Sequence, residues 1–570
     1  MKSNIRIRAR VLSGFFICIA LVLLARLYVV QIIDGDEYTQ HALGQYIETS
    51  PTAEDRGSIF FTDKDGNLVA SAVMQKGWRV AIRPSDIVDA EATYAALNAI
   101  VPIDRERFST SVAKQNDPYE EIAFRVSNED VVTIRALELP GVIFSEDRWR
   151  VYPAEKLAAH AIGFWGFAGD VRRGVYGLEK YFDDTLSRVQ GGLYINPFAE
   201  LFTNIGALLT SDPTEYAGDI ITSIEPTTEA RMEEVLDSIM KTYLPRQAGG
   251  IIMDPKTGEI IAFAVRPAFD PNTYNTLEDV AIFSNPLVEN IYEMGSIMKP
   301  LTMASGIDAG AISPDTTYRD EGFIMKSGKK ISNFDGKGRG VVSMQEVLNQ
   351  SLNTGASFVV DTMGHDVFAT YIDATGLGKE TGIDVPNEAR GLLGALSEGT
   401  DVDYASASFG QGIATSPIAM TRALASLANE GMLPEPHIVR AVRLKSGIVR
   451  TVSRESRERF VTAETAETVT RMLSEVFDDA LLGGVLKQQH YSIAAKTGTA
   501  QIANPSGGGY YADRFLHSFF GYLPAYEPRF IVFLYALEPQ KEKYASGTLA
   551  RPFLDIAKFL INYYDIPPDR

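Results

Sequence analysis

The sequence predicts an α+β protein with a single N-terminal membrane helix, an elongated mixed α/β pedestal and a larger domain whose antiparallel sheet is flanked by helices. Three observations support this prediction. An apolar stretch covers 11–33, and an amphipathic helical pattern covers 227–243. Two strand-like runs, 249–253 and 259–265, are joined by the segment 254–258, which has the Pro and Gly of a hairpin turn. Strands connected by hairpins beside helices are typical of an antiparallel sheet with helices against its faces.

The composition is that of a globular protein and excludes several classes of site. The 570 residues include 54 Lys and Arg against 73 Asp and Glu, which gives a formal net charge of −19. Nucleic-acid binding relies on clustered basic residues, so we expect no nucleic-acid partner. Cys18 is the only cysteine, which rules out an intramolecular disulfide and leaves no set of thiolates for zinc or an iron–sulfur cluster. The six histidines lack the spacing of metal ligands, and we expect neither a metal nor another cofactor.

The N-terminal apolar stretch is long enough to cross a membrane. Its 23 residues would form a helix about 35 Å long. Basic residues precede the stretch and acidic residues follow it, so we expect the tail 1–10 in the cytoplasm and the chain after about residue 34 outside it. A cleaved signal peptide is the alternative, but the stretch is long and has no small-residue cleavage site. Arg26 either extends to the outer interface or meets a polar group on a partner helix.

The residue pattern changes near Ile220. From 34 to 219, short strand-like runs alternate with turns, among them an Asp-Lys-Asp-Gly hairpin turn at 63–66, and no group of catalytic residue types stands out. The helix and strand pattern of the larger domain begins at 220 and continues to about 562, and 563–570 form a C-terminal tail. We therefore predict a spacer or docking module over 34–219 and the functional domain over 220–562.

A Ser-x-x-Lys pattern places a hydroxyl and an amine one helical turn apart, where a neutral amine can take the serine proton. The pattern occurs four times in this chain, beginning at Ser111, Ser238, Ser296 and Ser327. Only the copy formed by Ser296 and Lys299 falls where Gly295 and Pro300 predict the beginning of a helix. The positive end of the helix dipole favours a serine that must become an oxyanion, so this copy is the candidate nucleophile.

Two further patterns follow this serine in the chain. Ser351-x-Asn353 is the only Ser-x-Asn. Lys-Thr-Gly occurs at 256–258, where the hairpin turn explains it, and at 496–498, where the surrounding residues predict a strand and Gly498 permits another backbone to come close. Each pattern alone is more often structural than catalytic. The occurrence of all three patterns in this order is far less probable by accident.

The ordered set resembles the active-site triplet of penicillin-binding proteins and serine β-lactamases. Other segments extend the resemblance over nearly the whole chain, to the class B penicillin-binding proteins, which are monofunctional peptidoglycan transpeptidases anchored by one helix. These segments are 56–59, 66–70, 150–153, 158–163, 177–183, 408–413 and 496–501. The resemblance implies that 34–219 is the pedestal or dimerisation module and that 220–562 is a penicillin-binding transpeptidase domain.

The resemblance also implies an acyl-enzyme mechanism on Ser296. This serine would attack the bond between the last two D-alanines of a stem peptide, with Lys299 as its base. Burial and a nearby positive Lys496 would lower the pKa of Lys299 enough for it to accept the proton. Ser351 would relay a proton to the leaving amine, and Asn353 would hold the substrate amide. An amine of a neighbouring stem peptide would then take the acyl group.

The substrate would lie along the strand that carries Lys-Thr-Gly, as the same resemblance implies. Lys496, Thr497 and Thr499 would bind its terminal carboxylate, with Gly498 between the two threonines. The backbone amides of Ser296 and Thr499 would form the oxyanion hole.

The surroundings in which the protein works are also implied by the resemblance. They are the bacterial cytoplasmic (inner) membrane, crossed once, with the N-terminus in the cytoplasm and most of the chain outside. Stem peptides and β-lactams would be the ligands, and a membrane-embedded glycan polymerase and other cell-wall synthesis proteins would be the partners. The general character of the anchor and first motif favours a role in cell division over one in elongation.

Two other functions share parts of the pattern. A serine β-lactamase must hydrolyse its acyl-enzyme, and no Glu-x-x-Leu-Asn occurs between Asn353 and Lys496 to activate water as class A enzymes do. A membrane-bound β-lactam sensor or an inactive cell-wall scaffold is the other alternative. The complete triplet argues against inactivity, and ten cytoplasmic residues are too few for a signalling part.

Overall fold

The structure, a computed structural model, covers most of the chain beyond its N-terminal segment. It describes residues 55–169, 171–187, 217–397, 399–452, 454, 458–504 and 507–570. The predicted tail, 1–10, and the predicted membrane helix, 11–33, lie outside these residues. Within the described ranges, no helix combines the length and the apolar character needed to cross a bilayer.

Strands occur throughout the described residues. In chain order they are β1 (Ile59–Thr62), β2 (Leu68–Ile82), β3 (Glu120–Val126), β4 (Val142–Val151), β5 (Trp165–Ala168), β6 (Val171–Gly174), β7 (Gly218–Thr222), β8 (Gln247–Met253), β9 (Ile260–Arg266), β10 (Thr317–Asp320), β11 (Phe323–Lys326), β12 (Lys329–Ser332), β13 (Gly340–Ser343), β14 (Val439–Leu444), β15 (Val449–Thr451), β16 (Ala494–Ala503), β17 (Tyr510–Leu523) and β18 (Phe530–Leu537).

Helices alternate with these strands. In chain order they are α1 (Ala90–Asn98), α2 (Arg105–Ala113), α3 (Asn128–Arg135), α4 (Ala159–Ile162), α5 (Gly177–Tyr181), α6 (Asp183–Leu186), α7 (Pro226–Tyr243), α8 (Lys299–Asp308), α9 (Met344–Asn349), α10 (Asn353–Met363), α11 (His365–Ala374), α12 (Asp401–Ala407), α13 (Pro417–Ala425), α14 (Ala463–Glu475) and α15 (Ala545–Tyr563).

The larger domain is built on a five-stranded antiparallel sheet in the order β16–β17–β18–β8–β9. Helices α7 and α15 cover one face of this sheet, and their apolar side chains form one core with those of the strands. The other face belongs to a second core that includes side chains of α8, α10 and α14. The antiparallel sheet flanked by helices is therefore confirmed, and β16 lies at its edge.

Local sequence signals account for both ends of α7. Glu225 caps the helix by accepting the N–H of Thr228 at 2.6 Å. Pro226 occupies the first turn, where its missing N–H would have no partner within the helix. The helix ends at Leu244, which adopts the left-handed conformation with φ of 47°. The helix predicted from the amphipathic pattern is thus confirmed to within one residue.

The described residues divide into two compact units. One unit contains Asp55 and Lys76–Arg148. The other contains Arg56–Gln75 and the described residues between Trp149 and Ser187 and between Ala217 and Arg570. Segments of the predicted pedestal belong to both units, and the domain limits predicted near residue 220 stay a prediction.

The smaller unit packs its helices α1, α2 and α3 against paired strands. Strand β3 pairs antiparallel with the second half of β2, where Val80 lies opposite Ala123. Each helix begins at a residue whose side chain accepts a backbone N–H, as expected of an N-cap. The buried apolar core of this unit includes Val80, Ile82, Leu97, Phe108 and Ile134.

In the larger unit, the first hairpin joins a second sheet. The turn between β1 and β2 is closed by Asp63, whose carboxylate accepts the N–H groups of Asp65 and Asn67, and the predicted hairpin is confirmed. Strand β1 pairs in parallel with β7, and β7 pairs antiparallel with β14. The sheet therefore joins segments that are far apart in the chain.

Three of the segments that carry the family resemblance meet in a buried ion cluster. The Glu179 carboxylate accepts from Arg56 Nε at 2.6 Å and from Arg150 Nε at 2.7 Å. The Tyr152 hydroxyl also donates to Glu179 at 3.1 Å, and Asp183 pairs with Arg56 at 2.7 Å. Burial would raise the pKa of Glu179, but the two arginines hold this pKa below its usual value.

Replacing Glu179 with Ala leaves two buried guanidinium groups without their shared carboxylate. We expect the free energy of unfolding to fall by about 3–5 kcal/mol, measured by urea denaturation at neutral pH. Because the folded-state pKa of Glu179 is depressed, its contribution is present above the pKa of an unfolded glutamate and is lost as the pH falls through the folded-state pKa. The control is Glu380→Ala in the same unit, which removes an exposed pair with Arg390 and is expected to change stability far less. Equal losses in the two variants would contradict this prediction.

Candidate active site

Ser296 lies on a short 3₁₀ turn, Gly295–Met298, that leads directly into α8. Gly295 has φ of +63°, a conformation that favours glycine, and its N–H donates to the Gly410 carbonyl at 3.1 Å. A Cβ on Gly410 would lie 2.3 Å from the Gly295 carbonyl oxygen. The two glycines therefore let two backbone segments touch behind the nucleophile. The helix start predicted at Ser296 is confirmed.

Lys299 follows one turn later and is fully buried, with 0% of its surface exposed. Its Nζ lies 3.0 Å from Ser296 Oγ and 3.1 Å from Ser351 Oγ. It also donates to the carbonyl oxygen of Ser351 at 2.6 Å and to Asn353 Oδ1 at 2.9 Å. One amine thus contacts three of the residues that the sequence singles out.

Ser351 lies in the link between α9 and α10 with φ of +54°. This left-handed conformation is uncommon for a residue with a side chain, and such conformations concentrate at functional sites. Besides its contact with Lys299, Ser351 Oγ accepts from Lys496 Nζ at 3.0 Å. The hydroxyl of Ser351 therefore lies between two amines.

Asn353 is the first residue of α10 and joins the site to the hairpin β11–β12. Its Nδ2 donates to the carbonyl oxygen of Ser332, at the end of β12, at 2.9 Å. The next residue, Thr354, donates its hydroxyl to Asp320 at 2.8 Å and is not one of the partners of Lys299. The Asn353 amide thus holds Lys299 on one side and the hairpin on the other.

Strand β16 carries the remaining predicted residues, Lys496, Thr497, Gly498 and Thr499. A Cβ on Gly498 would lie 2.6 Å from the carbonyl oxygen of Met294 and 3.1 Å from the nitrogen of Ile297. The close backbone approach predicted at Gly498 is confirmed, because the turn that carries Ser296 packs directly on β16. Within the described residues β16 pairs with a strand on one side only.

Thr499 is held from two directions. Its Oγ1 accepts the N–H of Ala545, the first residue of α15, at 3.0 Å, so its hydroxyl proton is left for another acceptor. His517 lies opposite Thr499 on β17 and is buried. The His517 ring contacts Thr548 Oγ1 at 2.8 Å and the Lys543 carbonyl at 3.1 Å, which ties the beginning of α15 to the sheet.

The two lysines of the site have strongly lowered pKa values. Burial first, and the charge of Lys496 second, hold the pKa of Lys299 well below that of an ordinary lysine. Burial lowers the pKa of Lys496 to about 7. Both effects favour the neutral form of Lys299, and near neutral pH Lys496 is close to half protonated.

The other copies of the short patterns have structural positions. Ser111 donates to Glu120 at 2.9 Å, and Lys114 pairs with the same carboxylate at 2.6 Å. Ser238 lies inside α7, and Ser327 forms the turn between β11 and β12. The Lys-Thr-Gly copy at 256–258 forms the turn between β8 and β9. None of these copies lies beside a second predicted site residue.

Three groups at the site were missed by sequence reasoning. The Ser332 carbonyl and His517 carry no sequence signal, since a main-chain oxygen and a lone histidine have no recognisable pattern. Glu293 precedes the nucleophile by three residues, and its proximity to Ser296 in the chain was the signal available. Its carboxylate accepts from the Tyr510 hydroxyl at 3.3 Å, and burial raises the pKa of Glu293.

Comparison with known families supports this geometry. The sequence pattern of the "Penicillin binding protein transpeptidase domain" matches residues 248–558, more than half of the chain. The pattern of the "Penicillin-binding Protein dimerisation domain" matches residues 51–197.

Relatives of similar length are found among curated proteins and solved structures. Stage V sporulation protein D of Bacillus subtilis is 28% identical over 566 residues, which cover 97% of this chain and 85% of that protein. The peptidoglycan D,D-transpeptidase FtsI of Escherichia coli is 25% identical over 578 residues, covering 99% and 92%. Penicillin-binding protein 2X of Streptococcus thermophilus shares the fold with a TM-score of 0.73 at 20% identity, covering 90% of this chain and 80% of that one. Penicillin-binding protein 3 of Mycobacterium tuberculosis, complexed with aztreonam, has a TM-score of 0.69 at 22% identity, covering 91% and 98%.

The two domain matches occur in the order expected of a dimerisation domain followed by a catalytic domain. With the serine and two lysines of the predicted triplet meeting in one crevice, this chain belongs to the penicillin-binding protein transpeptidase family, in its class B branch.

Proposed function

We propose that this chain is a serine-type peptidoglycan D,D-transpeptidase that cross-links stem peptides through an acyl-enzyme on Ser296. The observation that carries the assignment of the nucleophile is the contact of one buried amine, Lys299 Nζ, with Ser296 Oγ, Ser351 Oγ and Asn353 Oδ1. A serine nucleophile needs a base within hydrogen-bond distance, and among the described residues Lys299 supplies this base, with its Nζ 3.0 Å from Ser296 Oγ. β-Lactams would acylate the same oxygen.

The acceptors around Lys299 support a neutral amine. The Ser351 carbonyl and Asn353 Oδ1 only accept hydrogen bonds, and they occupy two N–H groups. A neutral amine has two N–H groups, so its lone pair is left for the hydroxyl proton of Ser296, 3.0 Å away. As Ser296 Oγ attacks the carbonyl carbon of the terminal D-Ala-D-Ala bond, this proton passes to Lys299 Nζ.

Ser351 supplies a route for the proton to the leaving group. Its Oγ lies 3.1 Å from Lys299 Nζ and 3.0 Å from Lys496 Nζ. When the carbon–nitrogen bond breaks, the leaving D-alanine nitrogen takes a proton through Ser351, and the acyl group stays on Ser296 as an ester. The amine of a second stem peptide then attacks the ester carbon, and its proton returns to Ser296 Oγ through Lys299.

The edge strand β16 supports binding of the substrate's terminal carboxylate. Lys496 supplies a positive charge, and Thr497 and Thr499 supply hydroxyl protons. The packing of the Ser296 turn on β16 brings the backbone of Ser296 next to that of Thr499, which supports an oxyanion hole made of their N–H groups. A peptide added along the free edge of β16 would have its reacting carbonyl at Ser296.

The cellular setting is part of the same proposal and rests on the sequence. We infer a single-pass protein of the cytoplasmic membrane, anchored by 11–33, with the pedestal over 34–219 and the catalytic domain over 220–562 outside. A septal role, a membrane-embedded glycan polymerase and other cell-wall synthesis proteins as partners stay predictions.

Incubation with a fluorescent penicillin tests the nucleophile. We expect the full-length protein to acquire a covalent label that persists, since the ester awaits an amine rather than water, and we expect Ser296→Ala to acquire none. The label is followed on denaturing gels over time after removal of free drug.

Ser305→Ala provides the matched control. Ser305 is buried on the same helix and donates to the Leu301 carbonyl at 2.8 Å, away from the contacts of Lys299, so its variant should label like the wild type. Rapid release of the wild-type label would identify a β-lactamase, and absence of label would identify a scaffold. Either result would overturn the proposed function.

The pH dependence of acylation tests the two lysines. The second-order rate constant of acylation is measured between pH 5 and 9 with a β-lactam that carries a carboxylate. We expect a plot of this rate constant against pH to be bell-shaped. The rate rises as Lys299 loses its proton and becomes a base. It falls above about pH 7 as Lys496, whose pKa is lowered to about 7, loses the charge that binds the carboxylate.

Lys496→Arg separates these two limbs. A guanidinium stays charged over the whole pH range, so the alkaline limb should shift to higher pH. We expect the maximum rate of this variant to be lower. An alkaline limb that stays near pH 7 in this variant would mean that another group causes it.

A further inference from the structure

The hairpin β11–β12 and the loop that follows it form an exposed surface beside the active site, and the reaction derived above does not use it. We call this surface the basic ledge. It consists of Phe323, Met325, Lys330, Phe334 and Lys337. The ledge is tied to the site by the hydrogen bond from Asn353 Nδ2 to the Ser332 carbonyl.

Strand pairing determines which side chains of the hairpin share a face. Phe323 lies opposite Ser332, and Met325 lies opposite Lys330. Directly opposite residues of an antiparallel pair project to the same side, so these four side chains share one face. Ile331 lies on the other face and is buried in a small core. Phe323 is 40% exposed and Met325 is 57% exposed, so the shared face is apolar and open to solvent.

The ledge begins at the catalytic crevice. Lys330 is two residues from Ser332 along β12, roughly 7 Å at the spacing of a strand. Ser332 in turn contacts Asn353, which holds the catalytic amine. A peptide bound at the crevice is therefore within reach of the Lys330 side chain.

An aromatic contact joins the ledge to Tyr544, on the other side of the same crevice. Phe334 is 52% exposed, and its ring meets the Tyr544 ring edge-on with centroids 5.6 Å apart. Tyr544 directly precedes Ala545, whose N–H holds the Thr499 hydroxyl. Through Phe334 and Tyr544 the ledge therefore extends to the residues next to Thr499 on β16.

The charge of the ledge contrasts with that of the chain. The segment 326–339 has five basic residues and one acidic residue, a net charge of +4, whereas the whole chain carries −19. Lys326 pairs with Asp361, and Arg339 pairs with Asp335. Lys329 lies opposite Lys326 on the other face of the hairpin, where its charge acts on Asp403. The exposed lysines of the ledge that form no ion pair with a described carboxylate are Lys330 and Lys337. Lys330 instead lies over the Phe323 ring, 4.4 Å from its centroid.

We propose that the basic ledge binds the part of the acyl-donor peptide that precedes its reacting end, and that its lysines select a peptide with an internal carboxylate. Phe323 and Met325 supply apolar area for small aliphatic side chains, and Lys330 and Lys337 supply the charge. The proposal rests on the transpeptidase function proposed above.

Exposed charges act mainly on the rate of encounter. Each exposed lysine contributes little to affinity, but several of one sign beside a cleft attract an oppositely charged ligand, and added salt screens the attraction. The ledge should therefore raise kcat/KM for an anionic peptide and leave kcat nearly unchanged.

The test uses the full chain and two synthetic peptides that end in D-Ala-D-Ala. The two peptides are identical except at the residue two positions before this end. The side chain of that residue carries a carboxylate in one peptide and a carboxamide in the other. We expect the wild type to favour the carboxylate peptide by about tenfold in kcat/KM at low ionic strength, and salt should reduce this preference. The variant with Lys330→Gln and Lys337→Gln should treat the two peptides alike at every salt concentration.

Two further measurements make the outcome decisive. Lys445→Gln removes an exposed lysine from the turn between β14 and β15, on the second sheet, and should keep the wild-type preference. The final extent of labelling by fluorescent penicillin is measured for each protein and used to normalise the peptide rates to working active sites. A wild type without preference, or a double variant that keeps the preference, would overturn the proposed role of the ledge while labelling of Ser296 stands. Absence of labelling in the wild type would overturn the proposed function itself.

Discussion

The buried amine of Lys299 is the constraint on which the rest of the catalytic domain depends. An amine enclosed by protein must either find a counter-ion or remain neutral, because the charged form is far better solvated by water. Here the site offers two acceptor oxygens and two hydroxyls, and none of the four carries a charge. The arrangement satisfies the N–H groups of a neutral amine and leaves its lone pair beside the nucleophile.

Each surrounding element places one group around this amine. Helix α8 carries Lys299 itself and begins at the turn of Ser296. The link between α9 and α10 bends through the left-handed Ser351 so that its hydroxyl and its carbonyl both face the same nitrogen. Strand β16 brings the second lysine to Ser351 from the sheet. Because Ser351 Oγ separates the two amines, the site keeps a cation close enough to depress the pKa of Lys299 without placing it in direct contact.

The sequence was sufficient for those features that local patterns encode. The amphipathic repeat and Pro226 predicted α7, the turn residues predicted the hairpin β8–β9, and Gly295 with Pro300 predicted where the helix after Ser296 begins. Family resemblance then joined three distant patterns into one site, and the contacts of Lys299 and Lys496 agree with it.

Long-range pairing lay beyond the reach of sequence patterns. The division of the predicted pedestal between two compact units follows from the pairing of β1 with β7, which no local pattern specifies. The same holds for the meeting of Arg56 with Glu179 and for the Ser332 carbonyl, whose role depends only on where β12 ends. A backbone oxygen has the same identity at every position, so only its surroundings in three dimensions distinguish it.

The second sheet joins strands that are synthesised at very different times, which affects how the chain folds during synthesis. Ser58 bonds to Asp219, 161 residues later, and Asp219 bonds to Arg443 after a further 224 residues. The hairpin of β1 and β2 is therefore made long before the strands that will flank it, and until then it exposes an unpaired edge that can join the wrong neighbour. Closing such distant pairs is slow, because the loop entropy is lost before the contacts form. The earliest segment of the folded unit is thus completed late, because a chain that ends before β7 leaves the edge of β1 unpaired, and a chain that ends before β14 leaves the edge of β7 unpaired.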